Sequence, residues 1–450
     1  MVGEHMDDTT NADGNDRPIL GVVGVGYVGL TTGACLAHLG FEVVCGDVDP
    51  DRVAELSAGR IPIFEAGLAE LVAEGLSTGR LSFVLGGAEV ARRASIVFLC
   101  VPTPQDEDGS ADLSYIEAAA AEIAPILASG SVVVNKSTVP VGSARVVEAV
   151  IRRGDVSVVS NPEFLREGTA VKDFLHPDRV VVGSSDRAAA HRVAELYRDL
   201  DTEILVTDAS SAETIKYAAN GFLAMKLTFV NEIAALCEGV GADIDAVVRG
   251  IGLDPRIGRD FLRPGPGWGG SCFPKDSRAL VSISAGHGYD FSIMRLVLQM
   301  NEVQKERIVQ KIHRAAQCSD LAGHRVAILG LTFKAGTDDL RDSPSLDIIA
   351  LLRSRGAEIA AYDPMISPRL SGTPDSGPLA GVAIARDAES ACAGAHAVAV
   401  LTEWPEFKQL DLTSIAEQMA GRGVVDARNL LDPDVIRAAG LTYTGVGRIG

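Results

Sequence analysis

Ile19-Leu20-Gly21-Val22-Val23 runs without a break into Gly24-Val25-Gly26-Tyr27-Val28-Gly29. A helical pattern follows from Leu30 to about Leu39, closed by Gly40, and a second apolar run, Phe41-Glu42-Val43-Val44-Cys45, brings the chain to Asp47. No other stretch constrains the fold as much. Two apolar strands joined by a helix run parallel, and parallel strands are buried under helices on both faces. The three glycines meet three separate needs. Gly24 makes a tight turn, Gly26 lets the backbone approach a pyrophosphate, and Gly29 lets helix and strand pack closely. The unpaired N–H groups at the start of the helix favour an anion there. Asp47, just past the second strand, can accept hydrogen bonds from an adenosine ribose. Strand, turn, helix, strand and acid in this order predict a dinucleotide site, with NAD preferred to NADP. Val25, Tyr27 and Val28 share the turn and join the expected cofactor contacts. Arg52 lies near the expected ribose, where it can tolerate a 2′-phosphate, stack on the adenine edge or sit in solvent. The bland alternative is a glycine-rich turn with no ligand.

Further apolar runs end in polar residues. Ser95–Val101 leads to Pro102-Thr103-Pro104-Gln105, Ser131–Asn135 to Lys136-Ser137-Thr138-Val139-Pro140, and Val156–Ser160 to Asn161-Pro162-Glu163. Ligands of open parallel sheets sit outside the carboxyl ends of strands, which makes Thr103, Thr138 and Glu163 candidates by placement. Each alone reads equally as a turn or cap residue.

At 450 residues the chain has room for two or three domains, and with aromatics at only 5% its cores are aliphatic, as α/β folds tend to be. A formal net charge of −19 argues against nucleic acid and anionic membranes as partners. There is no basic N-terminus leading into an apolar segment, and apolar runs are too short to span a bilayer, so a soluble, cytoplasmic protein is expected. The seven cysteines are scattered without CxxC spacing, which predicts free thiols in a reducing compartment and no metal site. Residues 1–17, polar and acidic, read as a disordered tail.

From Ala212 to about Val240 the chain is rich in helix formers, with Gly221 as a point of expected kinking. Lys216 and Asn220 share a face of this helix; the plain reading is an exposed, solvated pair. Arg256 to Trp268, rich in Arg, Gly and Pro, reads as a loop able to wrap a polar ligand. It delivers Gly269-Gly270-Ser271-Cys272-Phe273-Pro274-Lys275-Asp276. The small residues let backbone and ligand approach, and Pro274 suits the first position of a helix. Cys272 then sits at a helix N-terminus beside Lys275, where thiolate is favoured over thiol. Asp276 is close enough to handle a proton or a water. This predicts a nucleophilic cysteine, whereas the remaining six read as buried small hydrophobes.

A second α/β unit begins near Arg325. Val326–Leu329 ends at Gly330-Leu331-Thr332-Phe333-Lys334, a helix follows from Ser345 to Ser354, and Glu358–Tyr362 ends at Asp363-Pro364. Later strands are Ala397–Leu401 and Val424–Asp426. Lys334 and Arg428 lie near strand ends, where they can bracket a diphosphate or be plain surface cations. The expected architecture is α/β: two Rossmann-like parallel-sheet lobes, residues 18–207 and 319–450, joined by a central helical layer over 208–318 that carries the long helix and offers dimer contacts. One lobe has the NAD signature; the other is suited to the nucleotide part of a substrate.

The ordered motifs GVGYVGL at Gly24, KSTVPVG at Lys136, SNPEFLREGTAVKDF at Ser160, HPDRVVVG at His176, KYAANGFLAMK at Lys216, GGSCFPKD at Gly269 and GLTFKAGTDDLRDSPS at Gly330 resemble those of the UDP-glucose/GDP-mannose dehydrogenase family, from Ile19 to about Asp432. The stretch from Ser160 to Gly183 is similar to the UDP-glucose members. Ala66 stands where the family usually has proline, and Trp268 where Phe or Tyr is usual. The resemblance implies oxidation of a nucleotide-sugar C6 alcohol to a carboxylate with two NAD and one water. It implies Cys272 as nucleophile, Lys216 and Asn220 as stabilisers of developing negative charge, Glu163 as general base or acid, and Asp276 and Thr138 as residues placing the water. Thr103, Thr138, Glu167, Lys275 and Arg341 would border the cofactor. Glu163, Phe164, Leu165, Arg166, Glu167, Lys216, Asn220, Arg256, Phe261, Arg263, Gly267, Gly269, Phe333, Lys334 and Arg428 would hold the UDP-sugar, with Arg256 reaching across a homodimer.

Overall fold

A computed structural model describes residues 17–105, 111–370 and 372–448, so the segment read as a tail lies outside it except for Arg17. Arg17 is anchored: its guanidinium donates to Leu39 O at 2.6 Å and lies 4.9 Å from the centre of the Phe41 ring. The chain divides into two compact units. The first runs through Thr103 and resumes over Leu113–Glu213; the second comprises Pro104–Asp112 and Thr214–Gly450.

The first unit is built on β1 (Leu20–Val23), β2 (Val43–Asp47), β3 (Leu81–Leu85), β4 (Ile96–Leu99), β5 (Val132–Asn135), β6 (Ser157–Ser160), β7 (Arg179–Gly183) and β8 (Glu203–Thr207). They form one sheet in the order β3-β2-β1-β4-β5-β6-β7-β8. All neighbours are parallel except β6 and β7. Successive side chains of a strand point to opposite faces. Accordingly Leu20, Val22, Ile96, Phe98, Val132 and Val134 join one apolar cluster, while Val23, Val97, Leu99 and Val133 join another. Covering helices on both faces make the near-continuous valine runs necessary.

The second unit carries β9 (Arg325–Leu329), β10 (Glu358–Tyr362), β11 (Ala383–Ile384), β12 (Ala397–Val400), β13 (Gly423–Asp426) and β14 (Thr442–Thr444), all parallel, in the order β11-β10-β9-β12-β13-β14. Counted from its own first strand this is 3-2-1-4-5-6, the doubly wound order, and the first six strands of the other sheet repeat it. Val326 and Ile328 pack with Val230, Ala234, Ile308 and Ile312 from the helices Ala209–Val240 and Ser292–Ala316, while Ala327 and Leu329 join the cluster on the opposite face. The fold is thus the expected α/β pair of parallel sheets with a long helix.

Several local expectations need correction. The first helix spans Tyr27–His38, starting before Leu30, and Asp47 is the last residue of β2 itself. The long helix is continuous over 32 residues from Ala209 to Val240. Gly221 does not break it; a Cβ there would come 3.1 Å from Leu280 Cδ2, so the glycine serves packing. Among the described residues no helix is long and apolar enough to cross a membrane.

Candidate active site

In the first unit the turn after β1 shows what each glycine does. Gly24 has φ +91°, and a Cβ on it would lie 2.8 Å from Cys100 O. A Cβ on Gly29 would fall 1.9 Å from Gly24 O, so turn and helix touch backbone to backbone. Gly26 has nothing within 4 Å of its Cβ position and faces open space. It is also the cap residue of the helix Tyr27–His38, with no side-chain cap and no acid in the first turn. Uncapped N–H groups beside an open backbone make a cradle for a pyrophosphate. Asp47, 9% exposed, accepts from Val25 N at 2.9 Å through Oδ2 and from Asp49 N at 3.0 Å through Oδ1. Arg52 Nη1 is 3.4 Å from Asp47 Oδ2, so this arginine pairs with the acid rather than standing alone. Open backbone, a helix start without a side-chain cap and a carboxylate at the end of β2 fit NAD.

The ends of β4, β5 and β6 are tied together. Thr103 Oγ1 donates to Thr138 O at 3.0 Å, and Ser137 Oγ to Val101 O at 2.7 Å. Glu213, a residue the sequence reading missed, accepts from Gly142 N (2.6 Å), Ala144 N (3.0 Å) and Ser160 Oγ (2.8 Å). It thereby joins the segments that carry Thr138 and Glu163. Burial pushes its carboxyl above the usual range despite these donors. Glu163 is buried and accepts from Leu165 N at 2.6 Å. The Arg179 guanidinium stacks 3.7 Å from the centre of the Phe164 ring, and Arg166 pairs with Asp173 at 2.5 Å. Glu167 is half-buried.

In the second unit Cys272, half-buried, immediately precedes the helix Phe273–Gly286. Pro274 is the second helical residue, not the first. One turn in, Asp276 N donates to Cys272 O at 2.8 Å, which fixes the thiol residue to the carboxylate residue through the backbone. The Asp276 side chain is fully buried; Asn220 Nδ2 donates to its Oδ2 at 2.6 Å and Lys275 Nζ lies 2.9 Å from its Oδ1. A buried carboxylate costs several kcal/mol unless paired and hydrogen-bonded, and here it is both. Lys275 is thus directed at Asp276. Lys216 is 3% and Asn220 7% exposed, so the solvated pair does not exist: this face of the long helix is buried. Five of the other six thiols are buried as expected, whereas Cys318, also read as a buried small hydrophobe, is half-buried. Burial pushes Cys35, Cys100 and Cys392 up to about 12 and Cys45 higher still.

The glycines before Cys272 are also required by the protein around them. A Cβ on Gly269 would lie 1.9 Å from Asp342 O, and one on Gly270 (φ +86°) 2.7 Å from the Phe333 ring. Gly270 N donates to Arg341 O at 3.1 Å. The loop ahead of them is pinned by buried amides and a hydroxyl. Asn231 Oδ1 accepts from Gly265 N, Gln304 Nε2 donates to Gly265 O, Asn301 bonds both backbone groups of Trp268, and Thr228 Oγ1 accepts from Trp268 Nε1. The signal that could have found them is the recurrence of polar residues three apart, Thr228/Asn231 and Asn301/Gln304, on otherwise buried helix faces.

Arg428 is held by Leu401 O (2.8 Å), Phe333 O (2.9 Å) and Glu403 (3.0 Å), and a Cβ on Gly265 would come 3.4 Å from its Nη1. Lys334 Nζ lies 5.5 Å from the centre of the Phe333 ring. Gly265, Gly270, Phe333 and Arg428 are therefore neighbours. Arg256 and Arg341 lie on exposed turns. Each is exposed and pairs with an acid two residues back, Asp254 at 2.6 Å and Asp339 at 2.7 Å. Arg263 is exposed, and Phe261, at φ +59°, meets the Phe273 ring at 6.1 Å between centres.

Models of three domains match in succession: the NAD binding domain of the UDP-glucose/GDP-mannose dehydrogenase family over residues 19–201, its central domain over 210–303 and its UDP binding domain over 327–433. A UDP-glucose 6-dehydrogenase of Rhizobium meliloti is 45% identical over 95% of this chain and 99% of its own length. Another from Pseudomonas aeruginosa is 43% identical over 95% and 97%. Among solved structures, a UDP-glucose dehydrogenase from Pyrobaculum islandicum superposes with a TM-score of 0.87 at 37% identity, covering 98% of this chain and 100% of that one. A UDP-D-ManNAc dehydrogenase from Pyrococcus horikoshii gives 0.84 at 28% identity, covering 96% and 99%.

Proposed function

Because the chain belongs to the UDP-glucose/GDP-mannose dehydrogenase family, we propose that it oxidises the C6 hydroxyl of UDP-glucose to the carboxylate of UDP-glucuronate. The supporting observation is the set Asn220–Asp276–Lys275 around a fully buried carboxylate in the helix turn that follows Cys272. NAD, when bound at the turn Gly24–Gly29, supplies the hydride acceptor for two successive oxidations. Lys216 bears on the negative charge that develops at the C6 oxygen. The Cys272 thiolate adds to the C6 aldehyde as a thiohemiacetal, and its oxidised form is a thioester, so the aldehyde never leaves. Asp276, with its carboxylate aligned by Asn220 and Lys275, takes the proton of the hydrolytic water, and Thr138 and Glu163 complete the proton handling. Asn220 thus acts on Asp276 as well as on charge at C6. Phe333, Lys334, Arg428 and the loop from Arg263 to Gly269 hold the UDP-sugar. Residues 18–207 serve NAD, 208–318 the thiol chemistry and 319–450 the UDP moiety.

The same reading makes the protein a homodimer. Phe222, Phe229 and Leu236, seven residues apart on the long helix, are 57%, 52% and 58% exposed, with Val240 continuing the stripe. An exposed apolar seam at heptad spacing is suited to a second copy of itself. Light scattering should give twice the chain mass, and Phe229→Glu should halve it.

An endpoint assay with limiting UDP-glucose and excess NAD tests the reaction. Two NADH per sugar and UDP-glucuronate as product are expected, and Cys272→Ala should end net acid formation while NADH still binds. One NADH with free aldehyde would remove Cys272 from its role. No NADH from UDP-glucose, with two from UDP-N-acetylmannosamine, would replace the substrate.

A further inference from the structure

Glu65 belongs to no motif of the dinucleotide turn, yet it is 7% exposed and spends both carboxylate oxygens on segments far from it in sequence. Its Oε2 accepts from the Tyr27 hydroxyl and from Gly168 N at 2.7 Å; its Oε1 accepts from Ala170 N at 2.9 Å. Gly168 N also lies 3.1 Å from the Tyr27 hydroxyl, so tyrosine, carboxylate and amide close a three-membered set. Tyr27 is the first residue of the helix that opens the pyrophosphate cradle. Gly168 directly follows the run Glu163–Glu167, and at φ +81° it holds a conformation in which its N–H turns back into the carboxylate. The phenol is the donor: burial and the adjacent carboxylate both push its ionisation far up.

Glu163 bonds Leu165 N two residues on, and Asp173 bonds Arg166 and Thr169 within the following turn. Glu65 joins this stretch to the cofactor turn through Tyr27 on one side and Gly168 and Ala170 on the other. We propose that Glu65 is a positioning residue that latches segment 163–170 to the cofactor turn through Tyr27, so that filling the turn stiffens the segment bearing Glu163 and Glu167. The inference rests on the assignment of those residues to the sugar site, but the latch itself is a property of the first unit and the NAD turn alone. A cofactor that orders Tyr27 makes opening of the latch rarer, and amides behind it exchange only when it opens.

Hydrogen exchange of peptides covering 163–175 tests this, in the full chain, with and without saturating NADH. Wild type should show roughly tenfold slower exchange at Gly168 and Ala170 when NADH is bound. Tyr27→Phe and Glu65→Gln should bind NADH, shown by its fluorescence at saturation, and lose that slowing. In turnover both variants should raise the KM for the sugar about fivefold with kcat changed less, and the double variant should be no worse than either single one. Persistence of the slowing in Tyr27→Phe, its absence from wild type, or additive effects in the double variant would overturn the latch. A protein that shows the exchange effect but does not oxidise UDP-glucose would keep the latch and lose the substrate assignment.

Discussion

The two parallel sheets begin their first crossover in the same way and then part. Gly24 N bonds Gly46 O at 2.8 Å, and Gly330 N bonds Tyr362 O at 2.8 Å. Both glycines have φ above +90°. In each case the next residue of the second strand's end is an acid, Asp47 or Asp363, that bonds back to the turn. In the first unit the helix starts at Tyr27, and Asp47 keeps an edge at the surface. In the second the helix waits until Pro344, and the intervening loop carries Phe333 and Lys334. Asp363 is fully buried, its Oδ2 surrounded by Leu331 N, Thr332 N, Thr332 Oγ1 and Trp404 Nε1 at 2.8 to 3.1 Å. The same position in the same fold is thus proposed as a ribose acceptor in one sheet and is an internal brace in the other. What separates them is not the acid but what the chain brings to it: Trp404 Nε1 donates to Asp363, while Asp47 has the exposed Arg52 guanidinium at 3.4 Å.

The sharpest way to break this comparison is Asp363→Ala. It strands four donors in the interior, Leu331 N, Thr332 N, Thr332 Oγ1 and Trp404 Nε1, at a cost on the order of 3 to 5 kcal/mol. The urea midpoint followed by tryptophan fluorescence should fall accordingly, since both tryptophans, Trp268 and Trp404, lie in the second unit. An unchanged midpoint would mean the brace is not one. Gly26→Ala should do the reverse. Its Cβ meets nothing of the protein, so the melting temperature should hold, while NADH affinity should drop roughly a hundredfold, about 2.7 kcal/mol, because the methyl occupies the pyrophosphate's approach. Normal NADH titration by that variant would move the pyrophosphate elsewhere.

Much of this contrast was legible in the residues and its decisive part was not. Valine runs ending in polar residues located the strand ends, because burial on both faces leaves no other composition open. The helix start at Cys272 followed from Pro274 and local spacing. The chain also wrote Asp47 and Asp363 in the same way, as an acid after an apolar run. Their different fates depend on Trp404, forty-one positions beyond Asp363, a proximity no local pattern encodes. The same holds for Asn220 and Asp276, fifty-six apart, and for Glu65 and Gly168. The glycines at 269 and 270 were read as room for a ligand; that Asp342 and Phe333 also press on them was not legible. Buried polar partners are set by tertiary approach, so sequence shows the residue types and not the pairs.

A milder test of the comparison is Asp47→Ala. If the acid serves a ribose, the KM for NAD should rise about tenfold, roughly 1.4 kcal/mol, while stability falls by about 1 to 2 kcal/mol, less than in Asp363→Ala, because Val25 N is the buried donor that loses its acceptor. The discrimination against NADP should narrow at the same time, since the carboxylate that repels a 2′-phosphate is gone. Destabilisation as large as that of Asp363→Ala would make the two acids equivalent.

The smallest effect should come from Arg52→Ala, and it decides between readings that sequence left open. The guanidinium sits 3.4 Å from Asp47 Oδ2 with a side chain 42% exposed, a pair of the kind worth 0 to about 1 kcal/mol. Paired so loosely, it neither shields Asp47 from the ribose nor needs the adenine to hold it. The KM for NAD should therefore change by less than about threefold, and 0.5 M salt should erase even that. A tenfold loss would instead mean that Arg52 leaves Asp47 and stacks on the adenine when NAD is bound. In the Asp47→Ala background the same substitution should cancel the gain in NADP use, because Arg52 is then the nearest cation for the 2′-phosphate. Seen this way the first sheet's acid and its arginine form one adjustable charge, and the second sheet, with Trp404 against Asp363, has lost the space in which such a charge could be adjusted.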